Sequence, residues 1–192
     1  MRRTTTRLGL AAVLTIFVGQ FAAYTYLSPY LLNKAAVTPM ALSAILLGFG
    51  IAVFLGNLAG GWAVAKNAAR TLIFSALLMG IPMFLLAAGV TPKPMVIALV
   101  MLWGLGFGLL PIAMQTWLFS MAPDRLEAMG AIFVSSAQIS IGLGALAGGL
   151  AVDHLGVLSA IAMGGAFAVA AAALTTISQA RTVKIPVCAT NS

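Results

Sequence analysis

Apolar residues run along this chain in long blocks separated by short polar or charged stretches. The blocks are too long for strands and apolar all round, unlike the one-sided stripe of a soluble surface helix. Crossing the ~30 Å hydrocarbon core of a bilayer takes about 20 such residues in a helix. The pattern therefore predicts six membrane-spanning helices over roughly 8–32, 40–65, 71–90, 95–121, 128–152 and 157–178. The connections left over are too short to hold a separate soluble domain. The expectation is one six-helix transmembrane domain over residues 1–192.

Local signals refine the pattern. Thr38 followed by Pro39 reads as a cap and a first-turn proline opening the second span. Pro82 and Pro111 each delete a backbone hydrogen bond inside a span and favour a bend. In "APDRLEAMG" (122–130), Asp124 stands three residues before Glu127, the spacing of an acidic capping box at the start of the fifth span. Gln20, Tyr24 and Ser28 recur every four residues, which predicts one polar face on the first span.

Composition agrees: of 192 residues, 62% are hydrophobic and 7% charged, far below the charged share of a soluble domain. A net charge of +7 raises nucleic acid as a partner, and the positions of the basic residues decide against it. With the N-terminus cytoplasmic, Arg2, Arg3, Arg7, Lys66, Arg70, Arg125, Arg181 and Lys184 fall inside, and only Lys34 and Lys93 outside. Positive-inside topology accounts for that asymmetry without an anionic ligand and puts both termini in the cytoplasm. "MRRTTTR" precedes an apolar run longer than the ~7–15 residues of a signal peptide, so a first span is expected there instead. The single cysteine, Cys188, has no partner for a disulfide or a zinc site within the chain.

One line is written twice. "GNLAGGWAVAK" (56–66) and "GALAGGLAVDH" (144–154) lie 88 residues apart and agree at seven of eleven positions. The first copy ends the second span and the second copy ends the fifth, so they cross the membrane in opposite directions. That is the signature of a three-plus-three inverted repeat. Gly56 with Gly60, and Gly144 with Gly148, have the small-xxx-small spacing of close helix contacts, which leaves convergence on packing open as another origin.

Three acids and one histidine leave little from which to build a catalytic or metal-binding set, and no phosphate loop or hydrolase motif occurs. "GLGALAG" (142–148) misses the dinucleotide fingerprint by one residue and lies in an apolar helix, so it reads as a packing surface. No enzyme activity, cofactor or metal is expected. What the spans do carry is uncharged and polar: Gln20, Asn57, Gln115, Thr116, Ser135, Ser136, Gln138 and Ser140, with the aromatics Tyr24, Tyr26, Trp103 and Trp117. Two roles compete for these side chains. One is interhelical hydrogen bonding and interface anchoring. The other is a midplane ligand cavity, in which aromatics stack on a ring-bearing solute and amides bond its edges. The candidate solute-binding residues are Gln20, Tyr24, Trp103, Gln115, Ser135 and Gln138. None of the spans carries a titratable group at depth, where proton-coupled transport normally needs one.

The segments "GQFAAYTYLSPYL" (19–31), "LLGFGIAVFLGN" (46–57), "WGLGFGLLPIAMQTW" (103–117), "APDRLEAMG" and "GGLAVDHLG" (148–156) together resemble the second half of a major facilitator superfamily transporter of the drug and metabolite proton-antiporter type. The first and third of them look most similar to bacterial purine-ribonucleoside exporters, with sugar-efflux members almost as close. The resemblance implies an all-α fold, half of the usual twelve helices, and efflux of small polar solutes by proton antiport across a bacterial inner membrane. It also implies a second six-helix half, as a separate chain or a second copy, because proton coupling usually sits in the half not matched here. The family's loop signature survives only as "GWAVAKNAAR" (61–70), with Ala65 in place of the acid, which weakens any gating role for that loop. A sugar or drug efflux member, a membrane protein that binds a partner without transport, or a truncated fragment is the alternative.

Overall fold

The structure is a computed structural model that describes residues 2–90, 92–121 and 123–183. It is all-helical: α1 (Arg2–Thr25), α2 (Leu27–Asn33), α3 (Pro39–Ala87), α4 (Lys93–Met121), a single 3-10 turn (Pro123–Arg125), α5 (Leu126–Leu155) and α6 (Val157–Val183). Among the described residues, five helical stretches are long and apolar enough to cross a membrane, with α1 and α2 counted together over Leu8–Asn33. Lys184 and Cys188 lie outside the described residues.

The expected spans at 40–65 and 71–90 meet a single element. Helix α3 has 49 residues, a rise of about 73 Å if straight, more than twice the hydrocarbon core. It is interrupted at Asn67, whose backbone is non-helical (φ −167°, ψ 102°). The Asn67 side-chain oxygen accepts from the Arg70 N–H at 2.9 Å, and the Thr71 hydroxyl donates to the Asn67 carbonyl at 2.9 Å. Asn67 thus ends one arm and caps the next with no intervening loop. Gly56 lies against Leu105 and Gly108 of α4, and Met79 lies against Gly106 of the same helix. A straight helix would hold positions 56 and 79 about 35 Å apart; both meet the same turn of α4, so the chain reverses at Asn67.

The start of α3 follows the sequence. Thr38 is extended (φ −71°, ψ 155°), its side chain accepts from the Ala41 N–H at 3.3 Å, and Pro39 follows at the first turn. The capping box at the start of α5 does not form. Asp124 belongs to the 3-10 turn, and Arg125 precedes α5 without a side-chain cap. The 3-10 turn draws Asp124 out of register, and Glu127 instead lies in the first helical turn, where its charge suits the helix dipole. The polar face expected on the first span is also broken: a non-helical Tyr26 (φ −104°, ψ 7°) separates Gln20 and Tyr24 on α1 from Ser28 on α2. Helices α5 and α6 are joined through Gly156 alone, at φ 85° and ψ 169°, a conformation only glycine adopts without strain.

Lipid removes the hydrophobic drive for helix association, so close approach of backbones has to hold such a bundle together. Glycines supply it. Gly144 and Gly148 of α5 press on Val18 and Ala22 of α1; Gly19 of α1 meets Gly164 and Phe167 of α6; Gly80 of α3 meets Gly165 and Ala168 of α6. The Ser75 hydroxyl donates to the Gly106 carbonyl at 2.7 Å, tying the second arm of α3 to α4. Helices α1 and α4 are the most enclosed crossings, and α3 and α5 the least.

Candidate functional site

Helix α1 carries Gln20 one turn before Tyr24, and α4 brings Trp103 to meet it. The Trp103 indole N–H donates to Gln20 Oε1 at 2.7 Å, and both side chains are buried. Burial in a low-dielectric interior strengthens such a bond and makes an unmet polar group there costly. The other end of the amide is unmet: Gln20 Nε2 is buried with no hydrogen-bond partner among the described residues.

Aromatic rings extend this pair towards the open face. The Phe49 ring meets Trp103 edge-on, with centroids 5.8 Å apart, and Tyr24 leans on Phe49 at 5.3 Å. Tyr24 is 41% exposed, whereas Trp103 is fully enclosed. Three helices, α1, α3 and α4, therefore converge on one series running from exposed Tyr24 through Phe49 and Trp103 to buried Gln20. A second series of phenylalanines lies beside it: Phe133 on α5 against Phe17, Phe17 against Phe21, and Phe21 edge-on to Phe107 of α4.

The candidates read from the sequence divide in two. Gln20, Trp103 and Tyr24 are brought together. Gln115 of α4 and Ser135 and Gln138 of α5 stand exposed, and among the described residues none of the three makes a side-chain hydrogen bond. Trp103 is not free to stack on a solute as placed, because its ring is covered and its N–H is taken. Ser136 and Ser140 serve packing, the Ser140 hydroxyl donating back to the Ser136 carbonyl at 2.7 Å. Tyr26 is spent on α5, its hydroxyl donating to the Ala145 carbonyl at 3.5 Å and filling the space beside Gly149. Asn57 is exposed.

Phe17, Phe21, Phe49, Phe107 and Phe133 were not among the sequence candidates. A phenylalanine in an apolar block looks like any other lipid-facing or core residue, and only Phe17, Phe21 and Tyr24 carry a hint in their i, i+4, i+7 spacing on one face of α1. Among the described residues no group of three or more His, Cys, Asp or Glu is placed to hold a metal. An open cavity of about 430 Å³ lies elsewhere, at the head of α5, lined by Asp124, Arg125, Leu126, Glu127 and Ala128.

Comparison with known proteins gives a consistent result. Residues 9–185 match the family model described as Major Facilitator Superfamily. The chain is 33% identical over 157 residues to a purine ribonucleoside efflux pump, NepI, of Salmonella paratyphi C, covering 82% of this chain and 40% of that protein. The NepI of Salmonella enteritidis PT4 is 32% identical over the same length. The chain thus spans less than half the length of the curated relatives it matches. Among solved structures, the in meso crystal structure of the POT family transporter PepTSo superposes with a TM-score of 0.80 at 15% identity, over 93% of this chain and 38% of that one, a likeness of fold alone.

Proposed function

Because the chain belongs to the Major Facilitator Superfamily, we propose that it forms one six-crossing half of a secondary-active efflux transporter for small polar solutes, with purine nucleosides as the solute class. The observation that carries this reading is the uncharged series from Tyr24 through Phe49 and Trp103 to Gln20. An exposed tyrosine ring, backed by two buried aromatic rings and an amide and lacking fixed charge, suits a neutral planar solute with hydrogen-bonding edges. The Salmonella relatives are named for such a solute. Gln115, Ser135 and Gln138, on the open faces of α4 and α5, supply further hydrogen bonds to it in this reading.

The packing supports a three-plus-three inverted repeat in a single domain over residues 1–192. With α3 counted as two crossings divided at Asn67, the first triplet is α1 with α2 and the two arms of α3; the second is α4, α5 and α6. Gly56 and Gly60, on the middle crossing of the first triplet, meet α4, the leading crossing of the second. Gly144 and Gly148, on the middle crossing of the second, meet α1, the leading crossing of the first. Exchanging the triplets leaves that pattern unchanged, as a two-fold axis in the membrane plane requires. The outer crossings obey the same rule, with Met79 against Gly106 and Gly164 against Gly19.

The same 88-residue offset relates two open apolar ridges. Ile51, Leu55, Leu58 and Trp62 on α3 correspond to Ile139, Leu143, Leu146 and Leu150 on α5, and each is half or more exposed. Two equivalent ridges on one unit suit a second six-helix half, a separate chain or another copy, with the lipid bilayer covering the rest. The membrane is the bacterial inner membrane, with both termini cytoplasmic. That orientation agrees with Trp62 and Lys66 at the end of the first α3 arm, where the ammonium lies 3.6 Å from the ring centroid, as an interfacial anchor would. Among the described residues the acids and the histidine lie at the ends of α5, as Asp124, Glu127, Asp153 and His154, so proton antiport draws its titratable group from the partner half.

The test is calorimetric binding of inosine, guanosine and arabinose to the assembled protein, with Gln20→Ala and Gln138→Ala alongside. Nucleosides should bind more tightly than arabinose, and both variants should weaken them while still inserting in the membrane. Tighter binding of arabinose would replace the nucleoside reading with sugar efflux. Unchanged affinity in both variants would leave the amides a packing role only.

A further inference from the structure

Trp103 was read from the sequence as a ring on which a solute stacks; the geometry points to a different role. An indole has a donor and no acceptor, so the only amide atom it can bond is the oxygen. With Gln20 Oε1 held at 2.7 Å by the Trp103 N–H, the amide cannot turn over without setting its NH₂ against the indole N–H. Among the described residues nothing else fixes Gln20: its Nε2 has no hydrogen-bond partner, and its side chain is enclosed. Trp103 is itself braced, edge-on to Phe49, whose ring carries Tyr24 at the open face.

We propose that Trp103 is a positioning residue that locks the Gln20 amide so that its NH₂ faces the solute, making Gln20 a donor-only contact that selects a solute carrying a carbonyl acceptor at the edge of its ring. This rests on the nucleoside reading above and adds the sense of the hydrogen bond. A buried amide free to flip would serve donor and acceptor edges alike; one pinned by an indole serves acceptors only. A 6-oxopurine offers an exocyclic carbonyl to those two hydrogens. A 6-aminopurine sets donor against donor at the same place, and meets Gln20 only through a ring nitrogen in a shifted pose. An unmet buried polar group is what allows a site to reject a near-isostere.

Two measurements on the assembled protein in lipid nanodiscs, with this chain ¹⁵N-labelled, test this. In the first, the indole N–H resonances of Trp62, Trp103 and Trp117 are followed by ¹⁵N NMR, assigned by single Trp→Phe substitutions. The buried Trp103 signal should shift on Gln20→Met while the other two stay put; an unmoved Trp103 signal would overturn the orienting contact. In the second, binding of inosine and adenosine is compared. The unaltered chain should prefer inosine by about tenfold or more. Trp103→Phe should bring the two close to parity through a gain in adenosine affinity, which general loosening of the fold would not produce. Gln20→Met should abolish the preference through a loss of inosine affinity, and serves if Trp103→Phe does not fold. A preference kept in full by either folded variant would overturn the proposal. Binding of neither nucleoside to the unaltered assembly would overturn the nucleoside reading and the selectivity with it, while the NMR result would still decide whether Trp103 pins Gln20.

Discussion

A methyl group added at Gly144 would have nowhere to go. A Cβ built there stands 2.6 Å from the Val18 carbonyl oxygen, 3.0 Å from the Ala22 nitrogen and 3.0 Å from the Phe21 Cβ, all on α1. Ordinary contact is about 3.5 Å, so α1 and α5 must part by roughly 0.9 Å, enough to forfeit a quarter to a half of the dispersion energy of each contact along the seam. Because the nearest atoms are backbone, no rotamer change relieves the clash. Gly144→Ala should therefore destabilise the bundle by about 1–3 kcal/mol of overpacking, partly offset by the ~1 kcal/mol by which alanine exceeds glycine in a helix. Gly142 is the internal control: it lies on the same helix with nothing within 4 Å of a built Cβ, so Gly142→Ala gains the helical term alone. Reversible unfolding in mixed micelles with increasing dodecyl sulfate, followed by circular dichroism, should separate the two variants by about 1–3 kcal/mol, the overpacking itself. Gly56→Ala, against the Leu105 backbone of α4, should behave as Gly144→Ala does. Equal stability of Gly144→Ala and Gly142→Ala would refute the argument that backbone approach at the repeated glycines holds the crossings together.

Other expectations follow from single contacts. Asn67→Ala removes the cap on the second arm of α3 and should cost about 1 kcal/mol in the same unfolding assay, with Asn67→Asp largely restoring it. Ser75→Ala deletes the 2.7 Å bond to the Gly106 carbonyl and should cost ~0.6 kcal/mol, and no more than ~1.7 kcal/mol. In a background without Cys188, a cysteine at position 93 should react with an impermeant maleimide from outside and one at position 66 should not; the reverse result would invert the orientation. Liposomes holding only this chain should show no concentrative nucleoside export when a pH gradient is imposed, since the proposed reading takes the titratable group for coupling from a partner half.

Some of this protein was written in the chain itself. The length of each apolar block set which segments can cross a bilayer, because that depends only on a rise of ~1.5 Å per residue and the thickness of the hydrocarbon. The start of α3 at Thr38 and Pro39 was local too, since a cap and a first-turn proline act within four residues of each other. The repeated line gave Gly56, Gly60, Gly144 and Gly148 as contact positions, though not their partners. The partners were a matter of tertiary structure: that α5 presses on α1 and the first arm of α3 on α4 depends on how distant crossings lie side by side. Asn67 fell between two expected spans as an ordinary polar residue; its work as break and cap emerges only once the chain reverses there. The site divides in the same way. Gln20 and Trp103 each stood out as polar or aromatic groups in an apolar block, but a bond across 83 residues has no local signature. Packing of α1 against α4 turned a stacking candidate into the partner of an amide, buried one end of Gln20 in a satisfied bond and left the other without one. The phenylalanines that line the same region stayed hidden because their chemistry is that of the whole membrane core, and only their placement sets them apart.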